Sequence, residues 1–129
     1  VRILYVAVLV LVVGGCSSDR DTRKADCATL AVAMTKPAQL PSPGAGMAPM
    51  YQKAAADVRA ARAEIKDKKL VVLADAVIRG FEEHAKYEAA HPRPRDLKAS
   101  DGSFEERSGA AENAVIAVCG PLREAAGTG

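Results

Sequence analysis

From residue 22 onward the apolar residues recur every three or four positions and do not alternate, so the segments that bury them must do so as helices. Aromatic residues make up only 4% of the chain, which leaves alanine and aliphatic side chains to build the core. The first apolar stripe, over residues 22–36, places Cys27, Leu30, Ala31 and Met34 at i, i+3, i+4 and i+7, and Pro37 ends it. Residues 37–49 hold four prolines, two glycines and no charge, a composition suited to an extended connection. A second stripe over residues 50–66 aligns Met50, Ala54, Val58, Ala61 and Ile65, with Arg59, Arg62 and Glu64 largely off it.

No Pro or Gly interrupts the chain from there to Arg79, so a single rod has to be considered. Phase argues against it: the next stripe is Leu70, Leu73, Ala74, Val77, Phe81 and Ala85, and the step from Ile65 to Leu70 turns the face by about 140°. A tight turn is therefore expected at residues 66–69, with Asp67 as N-cap of a third helix that runs to about residue 90 and stops at His91-Pro92. Asp75 with Arg79 and Glu82 with Lys86 are i, i+4 pairs on its wet face. Gly80 inside this helix costs about 1 kcal/mol relative to Ala, and its small size suits close helix approach. The fourth helix opens on a capping box, Ser103 and Glu106, continues through Phe104, Ser108, Ala111, Val115, Val118 and Cys119 on one face, and ends at Gly120-Pro121.

Residues 1–15 are of another kind. One charge, Arg2, precedes an apolar run from Ile3 to Val13, then Gly14 and Gly15. A run of that length is shorter than the roughly 20 residues a spanning helix needs, and it reads as the hydrophobic region of an export signal followed by small residues that a signal peptidase can admit. Val13-Gly14-Gly15-Cys16 resembles the lipobox of bacterial lipoprotein precursors. Family lipoboxes usually carry Leu three places before the cysteine and Ala or Ser two before; here Val13 and Gly14 stand there. The resemblance covers the first 16 residues and implies that Cys16 takes a diacylglyceryl group on sulfur and becomes the mature amino terminus. At about 0.8 kcal/mol per buried CH₂, two or more acyl chains anchor a protein stably without a spanning helix. Val1 is expected to reflect an alternative start codon, and the alanine-rich composition with a single Asn resembles proteins of high-GC bacteria.

Export changes the meaning of the other two cysteines. With Cys16 lipidated, Cys27 and Cys119 remain, and an oxidising compartment favours a disulfide between them. The first helix and the end of the fourth must then meet, which an up-down-up-down bundle achieves with those two helices side by side. The expected fold is thus an all-α, small antiparallel four-helix bundle closed by one disulfide and preceded by a signal peptide. Its parts are a signal peptide at 1–15, a lipidated tether at 16–21, a helical domain at 22–123 and a flexible tail at 124–129. A tether this short holds the first helix, the turn at 66–69 and the disulfide near the bilayer.

Candidate functional groups are few. Arg62, Lys66, Lys68 and Lys69 form a membrane-proximal basic patch suited to an anionic leaflet, although a solvated turn has the same composition. At the distal end Pro41 and Pro43 in one loop, and Arg93, Arg95 and Lys98 in the other, face outward, where an envelope protein or cell-wall polymer is the expected class of partner. His84, Glu88 and His91 have the only metal-like spacing, on one helical face. No nucleophile with a placed base and no glycine-rich phosphate cradle is present in the sequence, so no enzyme activity and no cofactor are expected. A net charge of +2 argues against a nucleic-acid partner. The expectation is a binding or scaffolding lipoprotein on the outer face of the cytoplasmic membrane, or on the outer membrane of a Gram-negative host, which Ser17 after the lipidated cysteine would permit. The alternative is a small-ligand or metal carrier in the envelope using His84, Glu88 and His91.

Overall fold

A computed structural model describes residues 18–36, 46–91 and 103–127, the side chains of 103–108 excepted. Cys16 and the segment before it lie outside the described residues, as do the loop positions Pro41, Pro43, Arg93, Arg95 and Lys98 and the side chains of the expected capping box. Within the described residues all regular structure is helical: α1 Asp19–Thr35, α2 Ala48–Glu64, α3 Lys68–Ala90, α4 Ser103–Cys119 and a short α5 Leu122–Ala125.

α1 starts three residues earlier than its apolar stripe. The Ser18 hydroxyl accepts from the Asp21 amide at 3.3 Å, and Asp19 and Asp21 place negative charge against the positive end of the helix dipole. The tether expected at 16–21 is shortened accordingly. α2 also starts early, at Ala48, because Pro49 falls in its first turn, where a missing N–H costs nothing. It ends at Glu64, two residues before its expected end.

The α2–α3 reversal lies at residues 65–67, as the phase break requires. Ile65 and Asp67 are both extended, with φ −76° and −67°, so the turn needs no glycine. Asp67 caps α3 by accepting from the Lys69 and Leu70 amides at 2.9 and 3.2 Å. The amides of Lys66 and Asp67 itself are taken by a residue distant in sequence, Asp26 of α1, whose buried Oδ2 accepts both at 2.9 and 2.7 Å.

Cross-helix contacts fix the directions. Arg62 pairs with Asp75 and Arg59 with Glu82, so α2 and α3 form an antiparallel hairpin. Arg23 reaches Asp67 at 2.7 Å and Lys36 reaches Asp57 at 3.7 Å, so α1 runs antiparallel to α2. The ion pairs of the two carboxylates therefore run across to α2 and not along α3, with an arginine of the facing helix on each, although Arg79 still adds an electrostatic attraction to Asp75.

The core takes one fully buried aliphatic residue from each long helix, Leu30, Val58, Leu70 and Val115, with Ala31 and Ala74 between them. Each large side chain contributes about 1.5–3 kcal/mol by burial. Cys27 and Cys119 are joined, with Cα atoms 5.4 Å apart. The helices they close are not side by side along their length, however. α1 packs mainly on α2 and α5, α4 packs on α3, and α1 and α4 approach closely at the disulfide. α5, absent from the sequence reading, buries Leu122 in the core and crosses the boundary at which the tail was expected to begin.

Asp26→Ala would leave two turn amides without their acceptor and should lower unfolding free energy in urea by about 3 kcal/mol, whereas Asp26→Asn, which keeps a carbonyl oxygen, should cost about half as much. Equal losses would show that the carboxylate acts in some other way. Reducing the disulfide, which spans 92 residues of sequence, should cost up to about 4 kcal/mol, read as a fall in urea midpoint relative to the oxidised protein.

Candidate functional site

The first turns of α1, the α2–α3 turn and the disulfide come together at one end of the body. Three contacts make that end: Arg23 to Asp67, Asp26 to the turn amides, and Cys27 to Cys119. Lys66, Lys68 and Lys69 are exposed there, and α1 adds exposed Arg20, Arg23 and Lys24, which the sequence reading did not include. Arg62, in the last turn of α2, is half-buried and already paired. Its guanidinium is held by Asp75, with a second contact from Nη2 to Oδ2 at 3.2 Å.

Two clefts flank α1 at this end. One lies between Asp19, Thr22 and Arg23 on one side and Lys66, Lys68 and Lys69 on the other. The second is lined by Arg20, Arg23, Lys24 and Glu124 together with Cys27, Val118 and Cys119, so mainly basic side chains border an apolar lining that includes the disulfide. Arg23 is common to both.

Electrostatics at this end are set by short-range pairs. The Arg23 guanidinium holds the Asp67 carboxyl below its ordinary value of 3.8, assisted by the Leu70 and Lys69 amides. Along the α2–α3 hairpin Arg62 lowers Asp75 in the same way, and toward the opposite end Lys53, with Lys36, lowers Asp57.

The other candidate group separates into different surroundings. His84 is buried and stacks on Tyr51, with ring centroids 4.6 Å apart, while Phe81 lies 6.4 Å from the same ring. Glu88 is also buried. His91 is exposed, stacks on Tyr87 at 4.2 Å and donates from Nδ1 to the Tyr87 carbonyl at 2.8 Å. Among the described residues no group of three His, Cys, Asp or Glu side chains is placed to hold a metal ion, so the spacing of His84, Glu88 and His91 does not make a cation site. A shared helical face is insufficient when one imidazole points inward and another turns back on its own helix end.

Sequence reasoning missed Asp26 and the tyrosines. Asp26 could have been noticed: it stands at i−4 to Leu30, on the apolar stripe, where a carboxylate must find donors. Nothing local marks Tyr51 as the partner of His84, because they belong to different helices. Comparison with known proteins yields no matching family model, and neither a curated protein nor a solved structure matches the chain. No described helix is long and apolar enough to cross a membrane.

Each of the three lowered carboxyls binds protons less readily in the folded chain than in the unfolded one. Their stabilisation is complete above the unfolded value near 3.8 and is lost as pH falls through the lower folded values. Urea midpoints should therefore fall from pH 5 to pH 2. Asp67→Asn, which can still cap α3 but cannot pair with Arg23, should flatten that fall; an unchanged acid limb would show that the pair contributes nothing.

Proposed function

We propose that this chain is an extracytoplasmic lipoprotein, anchored by acyl chains on Cys16, whose body is an up-down-up-down four-helix bundle that binds or scaffolds at the membrane surface. In this reading residues 1–15 are the signal peptide and the outer face of the cytoplasmic membrane is the site of action, or the outer membrane in a Gram-negative host. The observation that carries it is the pairing of cysteines: Cys27 and Cys119 are joined, which suits an oxidising compartment, and the one left over sits in Val13-Gly14-Gly15-Cys16 at the end of an apolar run.

The geometry suits such an anchor. Only Ser17 and Ser18 separate Cys16 from the first residue of α1, and an extended stretch of that length reaches roughly 10 Å. The body would therefore stand close to the bilayer, with the basic end toward it. The opposite end, where α1 and α3 finish and α2 and α4 begin, would face away, toward an envelope protein or a cell-wall polymer.

Expression of the full chain in a bacterial host with lipoprotein processing, followed by mass spectrometry of the amino-terminal peptide, tests the reading. A diacylglyceryl or triacyl Cys16 is expected, and Cys16→Ala should abolish it and move the protein out of the membrane fraction. An unmodified amino terminus, or an intact residue 1–15 segment on a soluble protein, would overturn the proposal.

A further inference from the structure

We propose that the end of the body formed by the first turns of α1 and the α2–α3 turn is a docking surface for an anionic phospholipid leaflet. Its seating is specific to headgroup charge, and it extends the lipoprotein reading, on which it rests for the position of the anchor.

Three features point the same way. The exposed bases Arg20, Lys24, Lys66, Lys68 and Lys69 lie together at this end and outnumber the exposed acids Asp19, Asp21, Glu64 and Glu124 beside them, while Asp67 is already engaged by Arg23. Bases so placed gain from the negative potential of a leaflet over a Debye length of about 10 Å at 0.1 M salt. Val72 is the most exposed large hydrophobic residue of the described chain, at 64%, and it stands one turn beyond Lys68 and Lys69 on α3. An apolar side chain beside lysines suits the boundary between headgroups and acyl chains. The cleft beside α1 repeats this chemistry, with Arg20, Arg23 and Lys24 outnumbering the single acid Glu124 next to an apolar lining of Val118 and the disulfide.

The position of the amino-terminal segment in the sequence selects the occupant. The described residues begin at Ser18, on this same end, and the segment leading to it is the apolar run that closes on Cys16. A tether of two residues brings this surface, rather than the far end, against the lipid. An acidic protein partner would satisfy the charge but would leave the exposed valine and the apolar cleft lining at this end without a reason.

Lysine footprinting reads the contact. The full-length protein is mixed with excess vesicles of phosphatidylcholine alone or of phosphatidylcholine with phosphatidylglycerol, pulsed with an amine-acetylating reagent and digested for mass spectrometry. With the anionic vesicles, acetylation of Lys66, Lys68 and Lys69 should slow by at least about threefold relative to Lys53 and Lys86, which lie away from this end; about 0.5 M salt should reverse the effect. Lys68→Glu with Lys69→Glu should abolish the shielding of Lys66, and Val72→Asp should weaken it, while circular dichroism stays unchanged. Uniform rates at all lysines, or equal shielding by neutral and anionic vesicles, would overturn the proposal. The amino-terminal peptide in the same digest reports whether Cys16 carries lipid, so a failed anchor and a failed docking surface are told apart.

Discussion

The body is organised around one carboxylate. Asp26 accepts the Lys66 and Asp67 amides at the point where α2 reverses into α3, in a turn that contains neither glycine nor proline. A charged group buried beside Cys27 and Leu30 is tolerable only because two backbone donors meet it. The bond does more than satisfy the turn. It fixes the height of α1 against the α2–α3 hairpin, brings Arg23 within reach of Asp67, and sets Cys27 where the last residue of α4 can reach it. Through Asp67 it also reaches α3, because the residue whose amide it holds is the one that caps that helix.

Most of the helical framework was legible because it depends on local spacing. Cys27, Leu30, Ala31, Val58, Ala61, Leu70, Ala74, Val77, Ala85 and Val115 are buried where their periodicity places them, and the phase slip between Ile65 and Leu70 located a turn that no breaker residue marks. What could not be read depends on neighbours. Asp75 and Glu82 each had a plausible partner four residues on, yet both turn to arginines of α2, since a facing antiparallel helix supplies a guanidinium without bending the carboxylate along its own helix. His84 and His91 share a helical face but differ in burial, and burial is a property of the packing around α3 rather than of spacing.

The disulfide illustrates how a correct pairing can conceal a different arrangement. A bond between the start of α1 and the end of α4 is what an idealised bundle with adjacent first and fourth helices would show. Here α1 has its flank on α5, and the chain reaches it by turning at Gly120, whose φ of +79° suits glycine and allows Pro121 and Leu122 to fold back. The bridge is thus a hinge point from which the chain continues, and the helical turn after it completes the burial of α1. A terminal segment of four residues with one buried leucine is too short for periodicity to reveal.

These constraints give the molecule two unlike ends. α3, with 23 residues and a rise of about 1.5 Å each, separates them by roughly 35 Å. The end bearing Asp26, the α2–α3 turn and the disulfide is cross-braced by a carboxylate, an ion pair and a covalent bond, whereas among the described residues the other carries the Lys36–Asp57 ion pair and the stacking of Tyr51 on His84, with no covalent link. On the proposed reading the braced end is the one held to the lipid by a two-residue tether. That is the mechanically consistent choice: a short tether transmits orientation only to a surface that does not yield, so the rigid end must be the anchored one for the far end to be presented at a defined height and direction.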